Sequence, residues 1–331
     1  MKTFITGGTS SIGRVLLKEF SRRGEQMRVL VRKSSNIKGV ELPGVELIRG
    51  DVTDAKAICA GMEGCQRVIH MAAVVGHNVP EAEWWQINRD GSKLVFEEAC
   101  KHAVASIVHV SSLSVLGFTE PGELADETRP IDTTKHLTLY QKTKFAADEI
   151  ARAFAVQGLP IKIVYPAFGY GCSFASSHPS MQDQTLLRMA SGKPTAIIGS
   201  GKNRLCLAYY KDTVRGIELA HERGRAGEGY ILGGQNLTFP EIWEVVAALL
   251  GKEVPKRRVP LPLLRTISAL SRFITHKSVF PPEFFEMIAF DWNYSSAKAE
   301  RELGWSFTPF VEGIAETWSG YQAQAWKPEV R

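Results

Sequence analysis

The chain has 331 residues, 44% hydrophobic and 23% charged, the balance of a soluble globular protein with room for two domains or one large one. Its 40 Lys and Arg against 35 Asp and Glu leave +5, too thin a surplus to point to nucleic acid, and the densest basic run, Lys252–Arg258, reads as a solvated turn. Five scattered cysteines without a C-x-x-C spacing suggest neither a disulfide framework nor a metal site, and the absence of an apolar leader or a bilayer-length stretch sets the expectation of a cytoplasmic protein.

Short apolar runs alternate with longer amphipathic stretches through the first half, the pattern of a parallel sheet covered by helices. Strands are expected at Lys2–Thr6, Met27–Arg32, Val45–Ile48, Arg67–Met71, Ser106–Val110 and Ile161–Tyr165, with a helix over Trp84–His102 that gathers Ile87, Leu94, Val95 and Ala99 on one face. Six strand–helix units predict a doubly wound sheet. After Pro166 the pattern turns irregular, and "GYGCSFASSHPSM" reads as a long loop. Asp212–Glu222 and "GYILGG" then read as a helix and a buried strand that return to the first domain. Further on, Leu261–Ile274 is an amphipathic stripe with Arg265 and Arg272 on its polar side. Packed core is its first reading, a cap over the substrate the second, and contact with a membrane surface a distant third.

The first strand enters "TGGTSSIG", Thr6–Gly13, and a helix follows at once. A turn that holds a dinucleotide pyrophosphate needs residues without bulk, because backbone N–H groups approach the phosphates at a helix N-terminus. Gly7 and Gly13 satisfy this; Ser10 stands where a middle glycine would be, small and able to offer a hydroxyl to phosphate. Downstream, Tyr140 and Lys144 form Y-x-x-x-K in a helical segment, so both side chains share one face. A phenol titrates near pH ~10, and proton transfer at neutral pH requires a cation that favours its phenolate. Ser112 follows the fifth strand, at the carboxyl edge where α/β sheets bind ligands.

These motifs resemble the extended short-chain dehydrogenase/reductase family, and the likeness spans nearly the whole chain. Its T-G-x-x-G-x-x-G motif maps onto Thr6–Gly13, which implies that Gly7, Thr9, Ser10, Ser11 and Ile12 bind cofactor. "GDVTD" implies Asp51 on the adenine amino group and Val52 over the ring; "HMAA" implies Ala72 and Ala73 beneath the cofactor. Asn88 matches the family's N-x-x-G-T helix with Ser92 in the threonine slot, and S-S-x-x-V-Y-G puts Ser112 in the catalytic slot with Ser111 toward the cofactor. The family's R-P-x-x-x-Y-G becomes Tyr165–Gly171, so Tyr165 replaces arginine, with Ala167 beside it. The resemblance implies a homodimer and an α/β fold, a Rossmann-type doubly wound parallel sheet with a smaller, discontinuous α/β substrate domain. Residues 1–166, 208–236 and 286–296 are expected to bind the dinucleotide, and residues 167–207, 237–285 and 297–331 the substrate.

An acidic residue after the second strand would accept both ribose hydroxyls; Arg32 and Lys33 stand there instead and favour a 2′-phosphate, so NADP(H) is expected over NAD(H). The site set is Ser112, Tyr140 and Lys144 for catalysis, the last two also touching the cofactor, with Ser112, Phe168, Tyr170 and Phe174 toward a small-molecule substrate. Dihydroflavonol reductase and 3β-hydroxysteroid dehydrogenase relatives are the nearest in style, which implies ketone–alcohol interconversion on a largely apolar molecule. The alternatives are a nucleotide-sugar epimerase or dehydratase with tightly held NAD(P), for which only Arg204 stands in a comparable place to a diphosphate clamp, and a non-catalytic cofactor sensor.

Overall fold

A computed structural model describes residues 1–76, 79–173, 179–193, 195–275 and 282–324. The apolar runs become strands β1 (Lys2–Thr6), β2 (Gln26–Val31), β3 (Val45–Arg49), β4 (Arg67–His70), β5 (Ser106–Val110) and β6 (Ile161–Pro166), followed by β7 (Phe168–Tyr170), β8 (Ile197–Ile198), β9 (Arg204–Tyr209), β10 (Gly229–Leu232), β11 (Asn236–Thr238) and β12 (Arg258–Val259). Seven of them form one sheet in the order β3-β2-β1-β4-β5-β6-β10, parallel at every pairing. This is the Rossmann-type doubly wound arrangement. The strand order reverses between β1 and β4, so a crevice opens at their carboxyl ends.

Helices α1 (Ser11–Arg22), α2 (Ala55–Met62), α3 (Glu81–Trp84), α4 (Gly91–Lys101), α5 (Leu139–Val156), α6 (Met181–Ala190) and α7 (Tyr210–Arg223) precede α8 (Phe239–Leu250), α9 (Leu261–Thr275), α10 (Pro282–Ala289), α11 (Ala297–Leu303) and α12 (Phe310–Ala323). Alternate residues of the central strands feed two cores, Phe4, Val68 and Ile107 on one face and Ile5, Ile69 and Val108 on the other. Coverage on both faces explains why these strands read as continuous apolar runs. Among the described residues no helix is long and apolar enough to cross a membrane.

Three stretches differ from the sequence reading. Trp84–His102 is helical up to Lys101 but not α-helical throughout: α3 and α4 flank a π-helical turn, Trp85–Asp90, that carries Asn88. Ala297–Leu303, grouped by sequence with the substrate-binding part, packs on the sheet side: Ala299, Leu303 and Trp305 lie in the same core as Leu16 and Ile217. The Trp305 indole N–H donates to the Asp212 carbonyl at 2.8 Å, and the Asp212 carboxylate accepts from the Thr308 N–H and hydroxyl at 2.6 and 2.9 Å. The third is α9, whose stripe is not core. Leu263, Ile267, Leu270, Phe273 and Ile274 are exposed, because the helix packs inward through its other side, where Leu261 joins the core and Ser268 is buried.

Candidate active site

β1 hands the chain to Gly7, whose positive φ of 76° and close backbone neighbours suit glycine alone; a β-carbon there would lie 2.6 Å from the Met71 carbonyl carbon. Ser10 caps α1, its Oγ accepting from the Gly13 N–H at 3.1 Å, which leaves its O–H free to donate. Arg14, buried in the first turn of α1, donates from Nε to the Thr9 carbonyl (3.0 Å) and from its Nη atoms to the Asn36 carbonyl (2.6 Å) and the Lys38 carbonyl. One guanidinium thereby straps the segment after β2 to the glycine loop. That strap fixes where Arg32 stands.

The crevice holds a cavity of about 440 Å³ lined, among the expected residues, by Gly7, Thr9, Ser10, Arg32, Asp51, Val52, Ala72 and Ala73. Ser35, Val74, Glu83 and Ile87 are also part of its wall. Lys33 is exposed beside Arg32 but outside the lining; Ser11 opens α1 and Ile12 packs toward the core. The Asp51 carboxylate accepts from the Thr53 N–H and hydroxyl, both at 3.0 Å, which orients it at the rim. The residues fit a dinucleotide: a backbone cradle that any β-carbon would fill, a basic side chain at the rim, and Ser111 Oγ, buried at the end of β5 without a hydrogen-bond partner.

A hydrogen-bond chain runs beneath this wall. The Ser92 hydroxyl donates to the Asn88 carbonyl at 2.6 Å, so it must accept from His70 Nε2–H at 2.8 Å; His70 Nδ1 then accepts from the Thr6 hydroxyl at 2.7 Å, whose oxygen receives the Ala72 N–H at 3.2 Å. The chain assigns His70 as neutral, and burial holds its pKa well below the ordinary histidine value. Asn88, in the π turn, accepts from the Val74 N–H at 2.7 Å and donates to Thr143 Oγ at 3.0 Å. It lies behind the cavity wall and joins it to α5.

The catalytic candidates converge on the start of α5. A reciprocal cap between Thr138 and Gln141 sets the first turn, and Gln141 Nε2 also donates to the Ser114 carbonyl at 3.2 Å. His136 bonds the Val115 carbonyl at 2.7 Å, and Lys144 Nζ donates to the Val110 carbonyl at 2.9 Å. These three bonds pin the Val110–Val115 segment, and with it Ser112, against the helix of Tyr140 and Lys144. Ser112 Oγ lies 2.9 Å from Ser114 Oγ and accepts the Ser114 N–H at 3.3 Å. The half-buried Tyr140 ring meets Trp84 edge-on, centroids 6.3 Å apart.

Lys144 is 2% exposed, and burial lowers its pKa to about 8, with Asp148 opposing the shift. Its amine is therefore still mostly protonated at neutral pH. Holding that charge out of water costs stability below about pH 8 and ceases to do so as pH rises toward the unfolded value of 10.5. Asp148 Oδ1 bonds His109 Nε2 at 3.2 Å, both buried, and the His109 ring stacks on His70 with centroids 5.5 Å apart. Sequence reasoning missed Arg14, His109 and Asp148.

The other predicted residues that the structure describes are not among those lining this cavity. Tyr165 is buried under α5, where its hydroxyl accepts from Arg152 Nη2 at 2.8 Å; Ala167 donates its N–H to the Leu232 carbonyl at 3.2 Å. Tyr170 is interior, stacked on Tyr209 and edge-on to Phe310, while Phe168 meets Trp292. Phe174 lies outside the described residues. Arg204 is tied to the Asn236 carbonyl at 2.8 Å and paired with Glu241. A second cavity, of about 460 Å³, opens between α6, α8, α9 and α10, with Met181, Ile198, Trp243 and Phe284 as apolar walls and Arg188 and Arg257 as cations.

Comparison with known proteins places this architecture. Over residues 3–233 the chain matches the NAD dependent epimerase/dehydratase family. It is 27% identical to "Sterol demethylase protein B" of Methylococcus capsulatus, across 92% of this chain and 93% of the relative. It is also 27% identical to a "Putative dihydroflavonol 4-reductase" of Synechocystis, across 96% and 94%. The solved structure of DesIV, a dTDP-glucose 4,6-dehydratase from Streptomyces venezuelae with NAD and TYD bound, shares the fold with a TM-score of 0.79 over the full length of both chains at 23% identity. With its crevice, glycine loop and Tyr140–Lys144 helix, the chain belongs to the NAD dependent epimerase/dehydratase family and is an NAD(P)-dependent dehydrogenase/reductase of the extended short-chain type.

Proposed function

We propose that the protein is an NADP(H)-preferring oxidoreductase that interconverts a ketone and a secondary alcohol on a largely apolar small molecule. The observation that carries this reading is the clamp between Val110–Val115 and α5, which gathers a serine, a tyrosine and a buried lysine at the sheet edge. The crevice residues Gly7, Thr9, Arg32, Asp51 and Val52 would hold a nicotinamide cofactor, which would supply hydride chemistry at the carbonyl carbon in either direction. Ser112 Oγ holds the substrate oxygen, and Tyr140 passes its phenolic proton to that oxygen as the C–H bond forms. The Lys144 charge favours the phenolate that remains, which regains a proton from solvent.

Arg32 at the cavity rim supports the NADP(H) preference, since a guanidinium pairs with a 2′-phosphate and an acidic residue would repel it. The names of the two relatives, a sterol demethylase protein and a dihydroflavonol reductase, and the apolar walls around Trp243 support an apolar substrate. Arg188 and Arg257 at the second cavity favour one rival, a nucleotide sugar whose diphosphate they would clamp.

The test is a panel of ketones and nucleotide sugars with NADPH and NADH, run beside Tyr140→Phe. A ketone should consume NADPH stoichiometrically, and Tyr140→Phe should lose about 10²–10⁴-fold in turnover while binding NADPH as before. Turnover of a nucleotide sugar without net NADPH consumption would establish the rival. Undiminished ketone reduction by Tyr140→Phe would remove the assigned proton donor.

A further inference from the structure

α9 presents two unlike faces. Leu261 joins the core, Leu264 lines the second cavity and Ser268 is 5% exposed, so this side holds the helix to the protein. On the other side Leu263, Ile267, Leu270 and Ile274 recur at helical spacing with Phe273 beside them, exposed by 42% to 82%. They are five of the twelve large apolar side chains exposed among the described residues, and the other seven are scattered from Met1 to Val311. Single exposed apolar residues are ordinary; five on one face of one helix are not.

The same segment carries the chain's whole net charge. Residues 252–275 hold Lys252, Lys256, Arg257, Arg258, Arg265 and Arg272 against Glu253 alone, a surplus of five that equals the +5 of the chain and leaves 34 cations and 34 anions elsewhere. By helical spacing Arg265, which is exposed, falls on the side of the helix away from the apolar stripe. A helix is only about 10–12 Å across, close to the Debye length of roughly 8 Å at physiological salt, so cations in and just before α9 are felt at its apolar stripe.

We propose that α9 docks the protein on an anionic phospholipid surface, with Leu263, Ile267, Leu270, Phe273 and Ile274 seated at the headgroup–acyl boundary. An amphipathic helix with an apolar stripe and cations outside it has the chemistry of an interfacial helix, and lipid charge adds to apolar burial in holding it. Charge argues against a second copy as the occupant, since a self-complementary contact would bring two such basic segments together. The inner side of α9 lines the apolar second cavity, so docking brings that cavity to within about a helix diameter of the acyl region. The docking itself does not depend on the reductase reading.

The test uses the full chain in flotation with phosphatidylcholine vesicles, with and without phosphatidylglycerol. The protein should float with the anionic vesicles, weakly with phosphatidylcholine alone, and less as salt rises. The double variant Leu270→Glu, Phe273→Glu, both positions exposed, should keep its circular dichroism and NADPH affinity and lose at least about tenfold in bound fraction. Failure to float with anionic vesicles, equal flotation of the double variant, or light scattering showing a dimer that the variant dissociates would each overturn the proposal.

Discussion

Around the β1–β4 crevice, polar side chains are buried and bonded to one another; around the cavity of α6, α8 and α9 apolar walls carry Arg188 and Arg257 among them, and a whole helix face stands bare. His70, Ser92, Thr6 and Asn88 form a directional chain under the cofactor wall, and Lys144 and Gln141 hold the serine segment in register with α5. Met181, Trp243 and Phe284 constrain only volume. Hydrogen bonds fix positions to tenths of an ångström and tolerate little change, whereas an apolar wall can be repacked at modest cost. The contrast suits an enzyme whose hydride chemistry is invariant and whose substrate contacts are adaptable.

The most severe way to strike the rigid region is Gly7→Ala. The positive φ penalises any side chain, and the new β-carbon would stand 2.6 Å from the Met71 carbonyl carbon, with backbone rather than a movable side chain in its way. A loss of about 3 kcal/mol or more is expected in urea denaturation, with NADPH affinity down at least about tenfold. A variant as stable as the parent with unchanged affinity would mean that the crevice backbone yields, and the contrast between the two regions would fail.

Asp148→Asn tests the second layer. Asp148 supports the charge on Lys144, so removing its own charge lowers the Lys144 pKa below its present value of about 8. Lys144 then loses its proton at lower pH, and the alkaline limb of kcat/KM should move down by about one pH unit, with about a five-fold loss at pH 8. Asparagine preserves an acceptor for His109, which sits 3.2 Å away, so the fold is retained. A uniform loss at every pH would assign Asp148 to packing alone.

The strands of the first half and the order of glycine loop, serine and Tyr140–Lys144 were legible because each is a local pattern: a run, a spacing, a motif at a strand end. The second layer was not. His109 meets Asp148 across 39 positions of sequence and Thr6 meets His70 across 64, and no local spacing records a contact made by distant elements arriving side by side. Ser10 shows a different limit: the motif marked its hydroxyl for a phosphate, and its second task, capping α1 through the Gly13 N–H at 3.1 Å, appears only in three dimensions. For α9, amphipathicity showed two unlike faces but not which one meets the protein, so a bare stripe read as core. The π turn escaped because Trp84–His102 keeps helical periodicity through it.

Arg32→Glu has the smallest effect on the fold and the sharpest on cofactor choice. The side chain is exposed at the rim, and its segment is held by Arg14 through the Asn36 and Lys38 carbonyls, so substitution leaves the crevice in place and Tm within about 1 °C. What changes is the charge facing a 2′-phosphate: a paired guanidinium becomes a repelling carboxylate that can accept ribose hydroxyls. The ratio of kcat/KM for NADPH over NADH should fall by about 10–100-fold, since charge-assisted hydrogen bonds contribute about 1.5–3 kcal/mol. The rigid region would then have a rim at which a residue sets cofactor specificity without touching stability. An unchanged ratio would move the 2′-phosphate contact off Arg32, and Lys33, exposed beside it, would be the next side chain to replace.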